Sequence, residues 1–273
     1  MRRFFSPSGI LIGLAAGLLS GLMGVGGGII AIPLMVGLLH VTQHKAHGTS
    51  LGMMVLTASA AGISYALNGK VEWVLALVLM AGTITGSFFG ARLMSQVSGD
   101  RLKLYFGSFI LLVGLWMLLG PRTAGATGAF VLAPDTAAIA VALGLVAGVL
   151  SGLLGIGGGV VMVPAMGFLL GIDQHVAQGV SLVVIVPTAI TGALTHYKKG
   201  NLLLNLAVSL GVAAIAGSLI GSELAQRLPG AVLYRGFGVF VVATATKMLM
   251  GVLDKSKKKP QSAAPSATPT ATK

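Results

Sequence analysis

The feature that most constrains this chain is an apolar run over residues 10–39, broken at its centre by the sequence Gly-Val-Gly-Gly-Gly at residues 24–28. A glycine inside a helix costs about 1 kcal/mol relative to alanine. Pro33 removes a backbone donor and disfavours helical geometry at the residue before it. The sequence therefore predicts a helix that ends near Met23, an unwound turn, and a second short helix that restarts between Ile29 and Pro33.

Composition places this broken run in a lipid bilayer. Hydrophobic residues make up 55% of the chain and charged residues only 9%, with a mean hydropathy of +0.94, whereas soluble domains carry about 25% charged residues. The chain is predicted to be an all-α polytopic membrane protein. Because non-helical backbone inside a bilayer is stable only where protein or a water-filled cavity surrounds it, the break also predicts a binding site.

The residue types that are missing or scarce narrow the function. The chain has no cysteine, which excludes thiol catalysis, disulfides and cysteine-based metal sites. Neither a nucleophile–base pair nor a set of metal ligands is visible, so we expect no enzyme, no cofactor and no metal. The six acidic residues all fall in loops or at span ends, away from the positions of proton relays. The net charge of +12 lies on tails and loops, which favours anionic lipid as its partner and not nucleic acid.

The whole pattern occurs twice. A displacement of 131 residues aligns residues 17–33 with residues 148–164 without a gap, and ten of these seventeen positions are identical. The predicted organisation is a cytoplasmic N-terminal tail (1–9), a first transmembrane repeat (10–119), a linker (120–136), a second transmembrane repeat (137–250) and a disordered basic tail (251–273). The plain spans are predicted at residues 48–67, 71–91 and 104–119, and again at 179–197, 202–224 and 235–250.

The path of the broken segment decides how the two repeats are related. If it crosses the membrane, the repeats are parallel; if it enters and returns, three spans remain in each half and the second half is inverted. Re-entry puts most loop cations on the side of both basic termini, in line with the positive-inside rule. We therefore predict inverted repeats, each a re-entrant helix pair plus three transmembrane helices, in the cell (inner) membrane with both termini cytoplasmic.

The glycines of the two breaks are the first candidate binding residues. In inverted repeats, the starts of the broken helices meet near the bilayer midplane, and their free amides and positive dipole ends attract anions. Glycine lets a ligand approach that backbone closely, whereas the alternative role is close packing between helices. The candidates are Gly26, Gly27, Gly28, Gly157, Gly158 and Gly159.

Polar side chains in the following span are the second set of candidates. Ser50 and Thr57 are seven residues apart, so they share a helix face, and the second repeat keeps both hydroxyls. They either line a polar path or bond to carbonyls of their own helix. The predicted substrate-binding side chains are His47, Thr49, Ser50 and Thr57, with Gln178, Ser181 and Thr188 in the second repeat. Glycine stripes at 82, 86, 90 and at 217, 221 predict close helix contacts, within the protomer or between the protomers of a homodimer.

These motifs resemble the TauE/SafE family of sulfite exporters. The resemblance rests on Gly-Leu-x-Gly-x-Gly-Gly-Gly-x(4)-Pro, then His-x-Ala-x-Gly-x-Ser-Leu, then Gly-x-x-x-Gly, present in both halves. The second half departs from the first in having Gln178 where the first has His47 and Val180 where it has Thr49. The two half-sites are therefore expected to bind unequally.

The resemblance implies a membrane transporter for small anions such as sulfite or organosulfonates. We expect export by alternating access around a shared site between the two halves. Two alternatives stay open from the residues alone. One is a cation-coupled importer of small organic acids, in which unwound carbonyls hold the cation. The other is a non-transporting membrane scaffold subunit, which predicts no flux at all.

Overall fold

The computed structural model describes residues 7–94, 99–119 and 133–257, and all regular structure in these residues is α-helical. The helices are α1 (Pro7–Met23), α2 (Gly28–Leu38), α3 (Gln43–Leu67), α4 (Trp73–Leu93), α5 (Gly99–Leu119), α6 (Pro134–Leu154), α7 (Gly159–Leu170), α8 (Gln174–Lys198), α9 (Leu204–Arg227) and α10 (Gly230–Lys257). Within this part of the chain, α3, α4, α6, α8, α9 and α10 are long and apolar enough to cross a bilayer. The chain is therefore a multi-pass membrane protein.

Several helices extend beyond the predicted spans. α1 ends at Met23, as predicted, and α2 begins at Gly28, one residue before the predicted range. α3 and α8 begin at Gln43 and Gln174, five residues before the predicted spans. Gln174 is buried, whereas Gln43, His44 and Lys45 in the first turn of α3 are exposed. α10 continues through residues 251–257, where the basic tail was predicted to start. Residues 1–6, most of the linker (120–132) and residues 258–273 lie outside the described residues.

The two halves are interleaved, since the first helix of each half packs along the second long helix of the other. α1 lies against α9, and its repeat mate α6 lies against α4. Glycines bring the backbones together: a methyl group added at Gly13 would lie 2.5 Å from the carbonyl oxygen of Leu210, and one at Gly144 would lie 2.5 Å from that of Leu79. The predicted glycine stripes on α4 and α9 contact α6 and α1 in the same way. These stripes are therefore used within the chain and are not available as a dimer interface.

Contacts between the central helices define their directions. Gly48, near the start of α3, contacts Asn201 just beyond the end of α8, and Gly179, near the start of α8, contacts Lys70 just beyond the end of α3. The repeat mates α3 and α8 therefore run antiparallel. A methyl group added at Gly27 would lie 2.5 Å from the carbonyl oxygen of Ala16, in the middle of α1. The chain thus turns back alongside α1 after the glycine break.

The starts of the two central helices are capped differently. At α8, the Asp173 carboxylate accepts a hydrogen bond of 2.9 Å from the backbone N–H of His175. The hydrogen bond between the two side chains is the main cause that lowers the pKa of Asp173 to about 2. At α3 the corresponding residue, Thr42, makes no side-chain capping bond. The second half therefore has a side-chain cap that the first half lacks.

Candidate functional site: two glycine turns in contact

Each glycine break is a turn that only glycine accommodates without strain. In the first break, φ is 70° at Gly24, 76° at Gly26 and 81° at Gly27. The second break repeats these values, with 64° at Gly155, 83° at Gly157 and 76° at Gly158. L-residues with a side chain rarely adopt this left-handed region. Local backbone geometry therefore explains why glycine stands at three positions in each half.

The structure brings the two turns into direct contact. A methyl group added at Gly28 would lie 2.6 Å from the carbonyl oxygen of Gly155. The symmetric contact is equally close, since a methyl group at Gly159 would lie 2.5 Å from the carbonyl oxygen of Gly24. All four glycines are buried. The start of each short helix, α2 or α7, thus lies beside the end of the long broken helix of the other half.

The turns contain buried backbone donors. Within the described residues, we find no protein acceptor for the backbone N–H groups of Gly26, Gly27, Gly28, Gly157, Gly158 and Gly159. Helix starts leave such groups unpaired and carry a partial positive charge. Buried backbone N–H groups are nearly always paired, so six together at the contact between two helix starts form a concentrated set of donors.

Two of the predicted serines tie the turns to the opposite half. The Ser181 hydroxyl donates a hydrogen bond of 2.8 Å to the carbonyl of Gly24. Its repeat mate, the Ser50 hydroxyl, donates to the carbonyl of Gly155. Both serines are fully buried. Each hydroxyl therefore satisfies the carbonyl at the end of a broken helix, which orients the turn and leaves the neighbouring amides as its unpaired donors.

His47 and Gln178 act at the same carbonyl ends. The Gln178 amide donates to the carbonyl of Leu22 at 3.0 Å, and the Tyr65 hydroxyl, 3.0 Å away, donates to the Gln178 side-chain oxygen. In the other half, His47 Nδ1 lies 2.5 Å from the carbonyl oxygen of Leu154. Although the residue types differ, both side chains bind the last carbonyls of the opposite broken helix. The difference between His47 and Gln178 therefore changes which side chain binds the carbonyls next to each turn.

The remaining predicted side chains do not bond to the glycine turns. The Thr57 and Thr188 hydroxyls donate to carbonyls of their own helices, at 3.0 Å and 2.7 Å. The Thr49 hydroxyl accepts a hydrogen bond of 3.1 Å from the backbone N–H of Leu203, before the start of α9. Thr57 and Thr188 therefore bond to their own helices, which was the alternative to lining a polar path.

Met54 is a residue at the turns that the sequence reasoning missed. Its sulfur would lie 3.0 Å from a methyl group added at Gly157 and 3.2 Å from one added at Gly26. The side chain of its repeat mate Ile185 would lie 3.4 Å from the methyl group added at Gly26. Met54 is fully buried, so its side chain fills the space between the two turns. It lies four residues after Ser50, and this spacing on a helix face is the signal that could have identified it.

An apolar cavity lies elsewhere in the described part of the chain. A pocket of about 440 Å³ between α5 and α7 is lined by apolar side chains, among them Trp116, Phe168 and Pro164. Apart from the Trp116 indole N–H, this lining has no side-chain donor for an anion, and it is typical of a surface covered by lipid tails. The candidate site is therefore at the glycine turns and not in this pocket.

The comparison with protein families agrees with the motif and the fold. Residues 9–261 match the family model described as sulfite exporter TauE/SafE. The chain belongs to the TauE/SafE family. It is accordingly a membrane transporter and not an enzyme.

Relatives of this TauE/SafE protein cover nearly the whole chain. A protein named as a probable membrane transporter protein from Xylella fastidiosa strain Temecula1 is 34% identical over 246 residues, 87% of this chain and 91% of the relative. YunE of Bacillus subtilis, also named as a probable membrane transporter protein, is 29% identical and covers 80% of this chain and 88% of its own. YdhB of the same organism is 29% identical, with 82% and 92% covered. The similarity to these probable membrane transporters therefore extends over most of the chain.

Proposed function

We propose that this TauE/SafE protein exports a small oxyanion, sulfite or an organosulfonate, through a site formed by the two glycine turns. The observation that carries the proposal is the set of buried backbone amides without a protein acceptor at the contact between the turns. Backbone amides at helix starts bind anions without a cationic side chain. Each start contributes roughly half an elementary positive charge, so two starts together match about one negative charge.

The serines support selectivity for an anion. Ser50 and Ser181 donate their protons to the turn carbonyls, which keeps these oxygens from facing the ligand. A cation would need those same carbonyls as ligands. The hydrogen-bond pattern therefore favours an anion over a coupling cation at the turns.

Two inverted halves moving against each other would give alternating access. Three features support such an arrangement. The repeat mates α3 and α8 are antiparallel, and α2 turns back alongside α1. In addition, α1 packs on α9 while α6 packs on α4. Because Met54 fills the space between the turns, its side chain has to move before an anion reaches the amides. The described conformation then corresponds to a closed state.

The membrane potential supplies the direction. Moving one elementary charge across 100 mV changes the free energy by about 2.3 kcal/mol. With a negative cytoplasm, an anion leaves downhill without a coupling ion, which agrees with the absence of acidic residues from the interior of the predicted spans. The proposed setting is the cell membrane, with both termini in the cytoplasm.

The test is flux through the full chain reconstituted in liposomes. We expect outward flux of labelled sulfite or a short sulfonate, driven by an inside-negative potential, and no flux of Na⁺. Gly26→Ala should lower this flux about tenfold or more, since a loss of about 1.4 kcal/mol at the site is tenfold. Gly69→Ala is the matched control: Gly69 has a φ of 66°, close to the 76° of Gly26, but lies in a loop with no atom within 4 Å of an added methyl group.

Three results would contradict the proposal. They are cation-selective flux without anion flux, no flux of any ion from a folded protein, and equal anion flux in the Gly26 and Gly69 variants. Uptake of an organic acid that requires a Na⁺ or proton gradient would instead support a cation-coupled importer.

A further inference from the structure

A second, strongly basic pocket lies where α4 and α8 end side by side. It has a volume of about 340 Å³ and is lined by Phe88, Arg92, Thr191, Leu194, Thr195, Lys198 and Lys199. Three of these seven residues are cationic and two carry hydroxyls, and no carboxylate is among them. The glycine turns contribute no residue to this lining, so the pocket is separate from the proposed transport site.

Two of the cations are held in position by contacts with the protein. The Lys199 ammonium donates hydrogen bonds to the carbonyls of Arg92 at 2.9 Å and Ala91 at 3.2 Å, at the negative end of α4. The Arg92 guanidinium lies 4.0 Å from the centre of the Phe88 ring. The positive charge at this pocket is therefore arranged before any ligand arrives, which lowers the entropy cost of binding.

The duplication provides an internal comparison, because the repeat mates of α4 and α8 are α9 and α3. At the equivalent end of the duplicated pair, no cation of the pocket is kept: Glu223 matches Arg92, Leu67 matches Lys198 and Asn68 matches Lys199. There, Glu223 pairs with Arg227 at 2.9 Å, and the Gln226 amide donates to the Ser64 hydroxyl at 3.2 Å. The equivalent pair, α3 and α9, thus packs without these three cations, so the packing of the helices does not require them.

We propose that this pocket binds an oxyanion group of the phosphate or sulfate type at one end of the protein. Arginine and lysine recognise such groups by charge-assisted hydrogen bonds. The Thr191 and Thr195 hydroxyls donate to carbonyls of their own helix, at 2.9 Å each, so the cations are the side chains that would bind the anion. The group comes either from a free oxyanion in solution or from the phosphate of an anionic lipid, since the helix ends lie where headgroups would be. The pocket goes beyond the proposed transport function and does not depend on it.

The experiment measures binding to the purified full chain in a neutral detergent by calorimetric titration. The probes are inorganic sulfate at constant ionic strength and short-chain phosphatidylglycerol, with short-chain phosphatidylcholine as the uncharged reference. The test variant is Arg92→Gln/Lys198→Gln, whose side chains are both exposed. The matched control is Lys70→Gln/Arg227→Gln, which removes the same charge from the ends of the equivalent pair, α3 and α9.

We expect the test variant to weaken binding of at least one anionic probe about tenfold or more, the effect of losing one charge-assisted hydrogen bond. The control should bind within about twofold of the wild type. A loss confined to phosphatidylglycerol assigns the pocket to lipid phosphate, and a loss for sulfate assigns it to free oxyanions. Wild-type protein that binds neither anionic probe, or equal binding by test and control variants, overturns the proposal. Because flux is not the readout, failure here is distinguishable from failure of the transport site.

Discussion

Replacing Ser181 by alanine tests whether the hydroxyls of one half hold the turn of the other. The Ser181 hydroxyl donates a hydrogen bond of 2.8 Å to the carbonyl of Gly24, and the serine is fully buried. Within the described residues, no backbone N–H donates to this carbonyl. The substitution therefore leaves a buried acceptor without a donor, which costs about 1–3 kcal/mol of stability.

Ser218→Ala is the matched control. Ser218 is equally buried, but its hydroxyl donates at 2.9 Å to the carbonyl of Ile215 inside its own helix. That carbonyl keeps the backbone hydrogen bond of the helix when the hydroxyl is lost. Because alanine is also the better helix former, we expect Ser218→Ala to change the free energy of unfolding by less than about 0.5 kcal/mol.

The two variants are compared by thermal unfolding in one detergent at one scan rate. For chains of this size, 1 kcal/mol corresponds to about 2–4 °C in Tm, so Ser181→Ala should lower Tm by about 2–12 °C. Ser218→Ala should stay within about 2 °C of the wild type. Equal Tm values for the two variants would refute the idea that the hydroxyl between the halves supports the turn.

Three further predictions concern packing, close contact and capping. Met54→Ala should destabilise the protein by about 2–5 kcal/mol and raise basal anion flux in liposomes, whereas the equally buried Met53→Ala should destabilise it without raising flux. Gly86→Ala pushes a methyl group against α6 and should lower the free energy of unfolding by about 1–3 kcal/mol. Gly37→Ala adds a methyl group with no atom within 4 Å, so it should leave stability unchanged or raise it. Thermal unfolding of both variants measures the difference. Asp173→Ala should lose about 1 kcal/mol at neutral pH. With a native pKa of about 2, below the unfolded value, this cap stabilises above about pH 4 and is lost as the pH falls towards 2, so the difference in Tm between wild type and variant should shrink there.

The class of the protein and its duplication could be read from the amino acids. Apolar runs of membrane-spanning length, interrupted twice by the same glycine pattern, leave few folds because a bilayer accepts almost only helices. The positions of the breaks also follow from local chemistry. Residues with a positive φ, such as Gly26 and Gly157, have to be glycine or be strained, so the sequence marks them directly.

Which side chains support the turns could be predicted only in part. Ser50 and Ser181 were identified because both repeats keep them, yet their acceptors lie more than a hundred residues away, and no local pattern specifies such a partner. Thr57 has the same spacing in the sequence, but its hydroxyl bonds to its own helix. A repeated hydroxyl indicates a face of a helix and not what that face contacts.

The sequence by itself determined the membrane setting, the repeats and the two glycine turns, because hydropathy and backbone strain are local properties. Only the tertiary structure decided that the turns contact each other, that Met54 fills the space between them, and that Arg92 joins two lysines at one pocket. These features arise where helices distant in the chain come together. Their positions depend on how the two halves pack, and packing is a property of the whole fold.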